Sequence, residues 1–239
     1  MKQFSKSPII IGGCGRSGTT LLLSIIAAHP NIHAFSKEIG VFLEWRKLKE
    51  SSDINFEYHP RLDRLYRFIL TDKISKQANR WCEKTPGNVR NFDKILDYFN
   101  EKVKLIHIIR DGRDVMLSKH PKKSDAYWIS PERWVNDVRI GLKFKKHPNV
   151  LTIKYEDLIL SYEETIEEIC DFLGEECTEE MYNWFDNTNV RKNEAWSGSV
   201  RKLHSNSVAK WEKEDNKERV NEIMQNRDVV NLLEDLDYL

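Results

Sequence analysis

Three short apolar runs, each leading through a polar or glycine-rich loop into a helix-like stretch, constrain this chain more than any other feature. Pro8-Ile9-Ile10-Ile11 ends at Gly12-Gly13. Lys104-Leu105-Ile106-His107-Ile108-Ile109 ends at Arg110-Asp111-Gly112. Val150-Leu151-Thr152-Ile153 ends at Lys154-Tyr155. Runs that are apolar on both faces belong in a sheet covered on both sides. Strands that alternate with helices imply crossover units and a parallel sheet, with ligands at the carboxyl ends of the strands. The spacing predicts helices over Thr19 to Ala28 (stopped by His29-Pro30), Glu38 to Glu50, Pro60 to Lys76, Asn91 to Phe99, Arg113 to Lys119 and Pro131 to Lys146. A further helix, Tyr162 to Leu173, ends at Gly174, and Trp81-Cys82-Glu83 adds a short strand.

The chain has 239 residues, 38 basic and 38 acidic side chains, and 40 % hydrophobic residues. That length fits one domain over 1–239. Within it, 212–239 reads as an acidic helical extension packed on the rest through Val220, Ile223, Leu232, Leu233 and Leu236. The apolar share supports a core and excludes wholesale disorder. A zero charge balance argues against binding nucleic acid through bulk charge. The longest apolar stretch, Leu21 to Ala28, is interrupted by Ser24 and falls well short of the ~20 residues a membrane helix needs. Met1 to Ser7 lacks the apolar segment of a secretory signal. Cys14, Cys82, Cys170 and Cys177 show no CxxC spacing, and His107 and His120 do not complete a ligand set with them. A reduced, cytoplasmic protein is expected, with no bound metal, no nucleic acid and no membrane.

Gly13-Cys14-Gly15-Arg16-Ser17-Gly18-Thr19-Thr20 lies between the first strand and the first helix. Small residues there let backbone N–H groups approach an anion, and the helix N-terminus adds a positive dipole. The spacing of Gly13 and Gly18 fits a P-loop, yet Thr19 stands where an ATPase or GTPase has lysine. The cation sits inside the loop as Arg16. The second strand ends in Arg110 rather than in a carboxylate for Mg²⁺. The expected fold is therefore α/β, a P-loop-like three-layer fold with a central parallel β-sheet flanked by helices, serving an anion that needs no metal. Arg110 offers planar, bidentate phosphate recognition, and Ser118, eight residues on, offers a hydroxyl. Arg113 either joins them or pairs with Asp111 or Asp114. A thiol beside a cationic helix N-terminus is expected to ionise easily, so Cys14 should react preferentially. His107 reads as a core histidine, and Trp81, Trp134, Trp184 and Trp211 as packing.

On these residues the chain resembles the sulfotransferases that use 3′-phosphoadenosine 5′-phosphosulfate (PAPS). The first loop resembles that family's 5′-phosphosulfate loop, and Ile108 through Ser118 resembles its 3′-phosphate strand and helix. Glu83-Lys84-Thr85-Pro86 and Ser36-Lys37-Glu38 followed by Phe42 resemble segments of the carbohydrate-type members. Tyr155-Glu156-Asp157-Leu158 and Ser207-Val208-Ala209-Lys210-Trp211 resemble further family segments, so the likeness runs over roughly 8–211. The overall look is nearer the tyrosylprotein and carbohydrate branches than the cytosolic phenol and steroid branch.

The resemblance implies transfer of a sulfuryl group from PAPS, leaving PAP, to an acceptor hydroxyl. It implies Glu38 as general base, with Arg16 and Lys84 stabilising the leaving phosphate. Gly15, Arg16, Ser17, Gly18, Thr19 and Thr20 would hold the 5′ end, and Arg110 and Ser118 the 3′-phosphate. Tyr155 would border the adenine or sit in the core. Of the basic stretch Arg201, Lys202, His204, Ser207 and Lys210, which would cover the nucleotide, Lys210 is the best single choice. The acceptor is a small molecule, a carbohydrate or a peptide. Glu44 to Asn79 and Pro121 to Ile129, with Trp45, Tyr58, His59, Tyr127 and Trp128, read as its walls. Two competing readings are a P-loop nucleotide kinase or nucleotidase, for which the lysine and metal carboxylate are missing, and an inactive PAP-binding module, against which Glu38 and Lys84 together speak.

Overall fold

Ile9 and Ile11 face one side of the sheet and Ile10 the other, and all three are fully buried. That two-sided burial is why this strand reads as a continuous apolar run. The structure is a computed structural model that describes residues 4–47, 58–120, 123–191, 202–203 and 205–239. Among them the strands are β1 (Ile9–Gly13), β2 (Ile32–Ala34), β3 (Trp45–Lys47), β4 (Tyr58–Pro60), β5 (Arg80–Lys84), β6 (Lys104–Ile109), β7 (Lys119–His120), β8 (Lys123–Tyr127) and β9 (Val150–Lys154). The helices are α1 (Thr19–Ile26), α2 (Leu62–Thr71), α3 (Phe92–Tyr98), α4 (Gly112–Met116), α5 (Pro131–Leu142), α6 (Tyr155–Leu160), α7 (Tyr162–Leu173), α8 (Glu179–Tyr182), α9 (Trp184–Asn187), α10 (Lys217–Met224) and α11 (Arg227–Asp235).

Five strands form one parallel sheet in the order β2-β5-β1-β6-β9. After β1 the chain crosses to the edge strand β2, comes back to place β5 between β2 and β1, then builds β6 and β9 on the other side. The reversal opens a crevice at the carboxyl end of β1, between the loops of β1 and β6. One face is covered by α1, α7 and α9, through Leu22, Ile25, Ile166, Ile169 and Trp184. The other is covered by Phe35, Phe42, Val89, Phe92 and Ile95. A third cluster joins Val115, Trp134 and Val138 to Ile223, Val229, Leu232, Leu233 and Leu236. The acidic segment is thus anchored by an apolar face.

Several expected elements are shifted. The helix expected over Glu38 to Glu50 is absent from its described part, where a turn at Val41–Leu43 leads into β3, paired antiparallel with β4. Gly40 adopts φ +63, which breaks the helical course. The helix expected over Arg113 to Lys119 stops at Met116, and Lys119–His120 instead pairs with β8. Asp111 caps α4 by accepting the Arg113 N–H at 2.8 Å. Ser130 caps α5 in the same way at 3.3 Å, and Gly174, at φ +64, ends α7 where expected.

Candidate active site

The loop after β1 is wound tightly by two residues in the left-handed region, Arg16 (φ 72) and Gly18 (φ 91). At Gly18 there is no room for a side chain, because a Cβ would run into the Tyr155 ring. Within α1 the Leu22 N–H bonds Gly18 O at 3.0 Å, so the earlier N–H groups of Thr19, Thr20 and Leu21 face out of the helix end. The hydroxyl of Ser17 is buried and has no hydrogen-bond partner among the described residues. A buried hydroxyl without a partner is costly, and an anion in the loop would satisfy it. Gly15 leads into the loop, and Thr19 begins the helix that follows it.

Lys84, at the end of β5, is fully buried. Its Nζ donates to Thr20 Oγ1 at 3.0 Å and to Glu38 Oε1 at 2.5 Å. The Glu38 side chain is 42 % exposed against 0 % for Lys84, so the carboxylate faces outward from an ammonium locked inside. Glu38 rides on the extended segment after β2, not on a helix. That segment is pinned where the Gly40 N–H donates to Thr85 Oγ1 at 3.1 Å. Thr85 Oγ1 and Asn88 Nδ2 in turn donate to the Glu83 carboxyl at 2.5 Å and 2.6 Å. Burial pushes the Glu83 pKa up, which these bonds offset in part.

Arg110, at the end of β6, donates to Asp114 Oδ2 and to the Arg16 carbonyl, each at 3.2 Å, and to the Ser207 carbonyl. Its guanidinium lies 4.4 Å from the centre of the Tyr155 ring, while the Tyr155 hydroxyl meets Ser207 Oγ at 2.6 Å. Tyr155 therefore wedges between Gly18 and Arg110 and joins the two loops. Lys210 is drawn into the same field: burial, then Arg110 and Arg16, push its pKa down, against the pull of Asp114. Arg16 is pushed down by burial and then by Arg110. Two cations, Lys210 and Arg16, each pushed down by burial and by the neighbouring Arg110 charge, mark a place that favours an anion. Their buried counter-charge is Asp114, whose pKa burial raises and whose Oδ1 accepts the Trp211 N–H at 3.0 Å.

Other expected residues fall elsewhere. Ser118 lies past the end of α4, not two turns along it, and its backbone ties Val115 to Trp128. Arg113 pairs with Asp111 at 2.7 Å and lies 3.6 Å above the Trp211 ring, in a structural role. Cys14 corrects the expectation of a reactive thiol. It is fully buried, and burial, then Asp137, push its pKa up rather than down. His107 is buried as expected, but neither ring nitrogen has a partner among the described residues. Trp45 and His59, expected at the acceptor wall, pack on Tyr98. Arg201 and His204 lie outside the described residues, as do 48–57 and 121–122 of the expected acceptor walls. Sequence reading missed Asp114 as the partner of Arg110, a pair that the four-residue step from the strand end into the first turn of α4 brings together. Trp128, expected at the acceptor wall, has its ring centre 5.5 Å from the Arg16 guanidinium. Among the described residues no group of three or more His, Cys, Asp or Glu is placed to hold a metal ion.

The model of the sulfotransferase family matches residues 8–180, and the chain belongs to that family. A Caenorhabditis briggsae protein named "Putative protein-tyrosine sulfotransferase" is 29 % identical over 189 residues, covering 72 % of this chain and 67 % of that protein. A 3-alpha-hydroxysteroid sulfotransferase of Cavia porcellus is 33 % identical over 95 residues, covering 32 % of this chain and 33 % of that enzyme. Among solved structures, the sulfotransferase domain of the Synechococcus PCC 7002 olefin synthase shares the fold at TM-score 0.59 and 18 % identity, covering 95 % of this chain and 98 % of that one. A mouse sulfotransferase complexed with PAP does so at TM-score 0.58 and 19 % identity, covering 98 % and 88 %.

Proposed function

We propose that this protein transfers the sulfuryl group of PAPS to an acceptor hydroxyl, with Glu38 as general base. The observation that carries this reading is Lys84, a buried ammonium bonded at once to the base and to the anion loop. The residues present suit the donor. The loop with its orphaned Ser17 hydroxyl fits the 5′ end, and Arg110 with Lys210 fits a second phosphate at the 3′ position. PAPS supplies a sulfuryl group already activated by attachment to a phosphate. Its transfer breaks the bond between sulfur and the 5′-phosphate oxygen, forms one to the acceptor oxygen, and leaves PAP. The acceptor proton goes to the Glu38 carboxylate, which the ion pair with Lys84 holds in orientation. Charge gathers on the departing phosphate. Lys84, Arg16 and the N–H groups of Gly18 to Thr20 are fixed to receive it, the Ser17 N–H being bonded to the Cys14 carbonyl. Positioning and fixed charge then perform the catalysis, as in phosphoryl transfer.

The acceptor is a small molecule, a carbohydrate or a peptide, and its hydroxyl must reach the exposed side of Glu38. The test is turnover of PAPS against a mixed acceptor panel, read by mass spectrometry of sulfated product. Glu38→Gln should retain PAP binding and lose about 10²–10⁴ in kcat. Wild-type turnover in that variant would remove Glu38 as the base. PAP binding by the wild type with no sulfated product would remove the enzymatic reading.

A further inference from the structure

Next to Arg110, through Asp111, a closed ring of hydrogen bonds runs through four residues. The Tyr238 hydroxyl donates to Glu156 Oε2 at 2.7 Å, and Glu156 Oε1 accepts the Asp111 N–H at 3.1 Å. The Asp111 carboxylate binds Arg113 Nε at 3.0 Å and Nη2 at 2.7 Å. Arg113 Nη2 returns to the Tyr238 carbonyl at 2.7 Å. The ring thus begins and ends on one residue, and it encloses the backbone step that follows Arg110. Lys154 braces it by donating to Leu236 O at 2.6 Å and lying 4.8 Å from the centre of the Tyr238 ring. On the other flank Trp134 Nε1 donates to the Arg110 carbonyl at 3.2 Å.

We infer that Tyr238, acting through Glu156 and Asp111, is a positioning residue that sets the Arg110 guanidinium for the 3′-phosphate of the donor. The inference rests on the reading of Arg110 given above. Its logic is geometric. Among the described residues Arg110 has one carboxylate partner, Asp114, lies against the Tyr155 ring and otherwise bonds carbonyls, so its aim depends also on the backbone at Arg110 and Asp111. That backbone joins the end of β6 to the cap of α4, and two side-chain bonds fix it, one from Trp134 and one to Glu156. Tyr238 satisfies the far oxygen of Glu156, which is otherwise a partly buried carboxylate free to turn. Without the hydroxyl, Glu156 has reason to reorient and the Asp111 N–H loses its acceptor. The 3′-phosphate lies remote from the transferred group, so mispositioning Arg110 weakens ground state and transition state alike. The result is a raised KM for PAPS with kcat retained.

The test is calorimetric binding of PAP and of adenosine 5′-phosphate, which lacks the 3′-phosphate, to four proteins: wild type, Tyr238→Phe, Arg110→Ala and the double variant. Tyr238→Phe should weaken PAP by about fivefold or more, the worth of one net hydrogen bond, and leave adenosine 5′-phosphate unchanged. In the Arg110→Ala background the same substitution should have no further effect on PAP, since the device has nothing left to aim. Glu156→Gln is the second variant if Tyr238→Phe fails to fold, with the same pattern expected. Equal weakening of both ligands, or an additive effect in the double variant, would reduce the ring to general stability and overturn the inference. Normal PAP binding in Tyr238→Phe beside weak binding in Arg110→Ala would also overturn it, while sparing the reading of Arg110. Normal PAP binding in Arg110→Ala would overturn both.

Discussion

At the scale of single residues, the site is made by side chains whose ordinary behaviour is altered by what lies next to them. Gly18 is the clearest case. It sits at φ +91 with the Tyr155 ring where a side chain would go. Gly18→Ala therefore meets both backbone strain and a ring it cannot pass. It should lose about 1–3 kcal/mol in urea unfolding and lose PAP binding with it. Retained stability would mean that Tyr155 moves aside freely. Lys84 is the second case. A fully buried ammonium is tolerated because Glu38 and Thr20 accept from it. Lys84→Met should cut kcat more than it weakens PAP, as steady-state kinetics beside calorimetry would show. A loss confined to PAP affinity would place Lys84 outside the transfer step. Arg16, Arg110, Glu38 and Lys84 were all legible in the sequence, because each stands at a strand end or in a motif. The fate of Cys14 was not. Loop position and nearby arginines argue for an ionised thiol, but complete burial beside Asp137 reverses the sign.

At the scale of elements, long apolar runs and clear stops were read correctly and short irregular ones were not. β6 falls on Lys104–Ile109 and α7 on Tyr162–Leu173, as their patterns require. β2 has only three residues, one of them His33, and carries no run to recognise. Its position matters, since it launches the segment that bears Glu38. The apolar spacing of Ile39, Phe42, Leu43 and Trp45 imitates a helix face. What overrides it is Gly40 in the left-handed region and the pairing of β3 with β4, which no local pattern encodes. Every strand of the sheet nonetheless leads to a site residue: β1 to the loop, β2 to Glu38, β5 to Lys84, β6 to Arg110 and β9 to Tyr155. The acidic helices α10 and α11 belong to this scale too. Leu233 is fully buried against the cluster that holds Trp134, whose indole fixes the Arg110 carbonyl. Leu233→Ala should cost about 2–5 kcal/mol in urea unfolding. A change under about 1 kcal/mol would show that these helices are a dispensable appendage.

At the scale of the whole molecule, a chain of zero net charge gathers Arg16, Lys84, Arg110 and Lys210 at the carboxyl end of the sheet, and other titratable groups are buried inside the fold. His107 shows the consequence for pH. Burial holds its pKa down at about 3, against 6.5 for an exposed imidazole. The unfolded chain therefore takes up this proton first as pH falls. Stability from His107 is complete above about pH 6.5 and declines by about 1.4 kcal/mol per unit toward pH 3. The buried carboxyls Glu83, Asp114 and Glu156, pushed up by burial, act in the opposite sense: their contribution declines as pH rises. The difference between proteins isolates the imidazole. Chemical unfolding of wild type and His107→Leu at pH 7 and pH 5 should show the variant losing less stability on acidification. Parallel losses would place the acid sensitivity elsewhere.

On the proposed function, two separate groups of fixed positive charge at the carboxyl end of the sheet hold the two phosphates of one nucleotide without a metal ion. Calorimetric titration of the wild type in excess EDTA, with PAP and then with adenosine 5′-phosphate, tests it most directly. PAP should bind at least about tenfold more tightly, because only PAP engages Arg110 as well as the loop. Equal affinity for the two, or PAP binding that appears only when Mg²⁺ is restored, would contradict it.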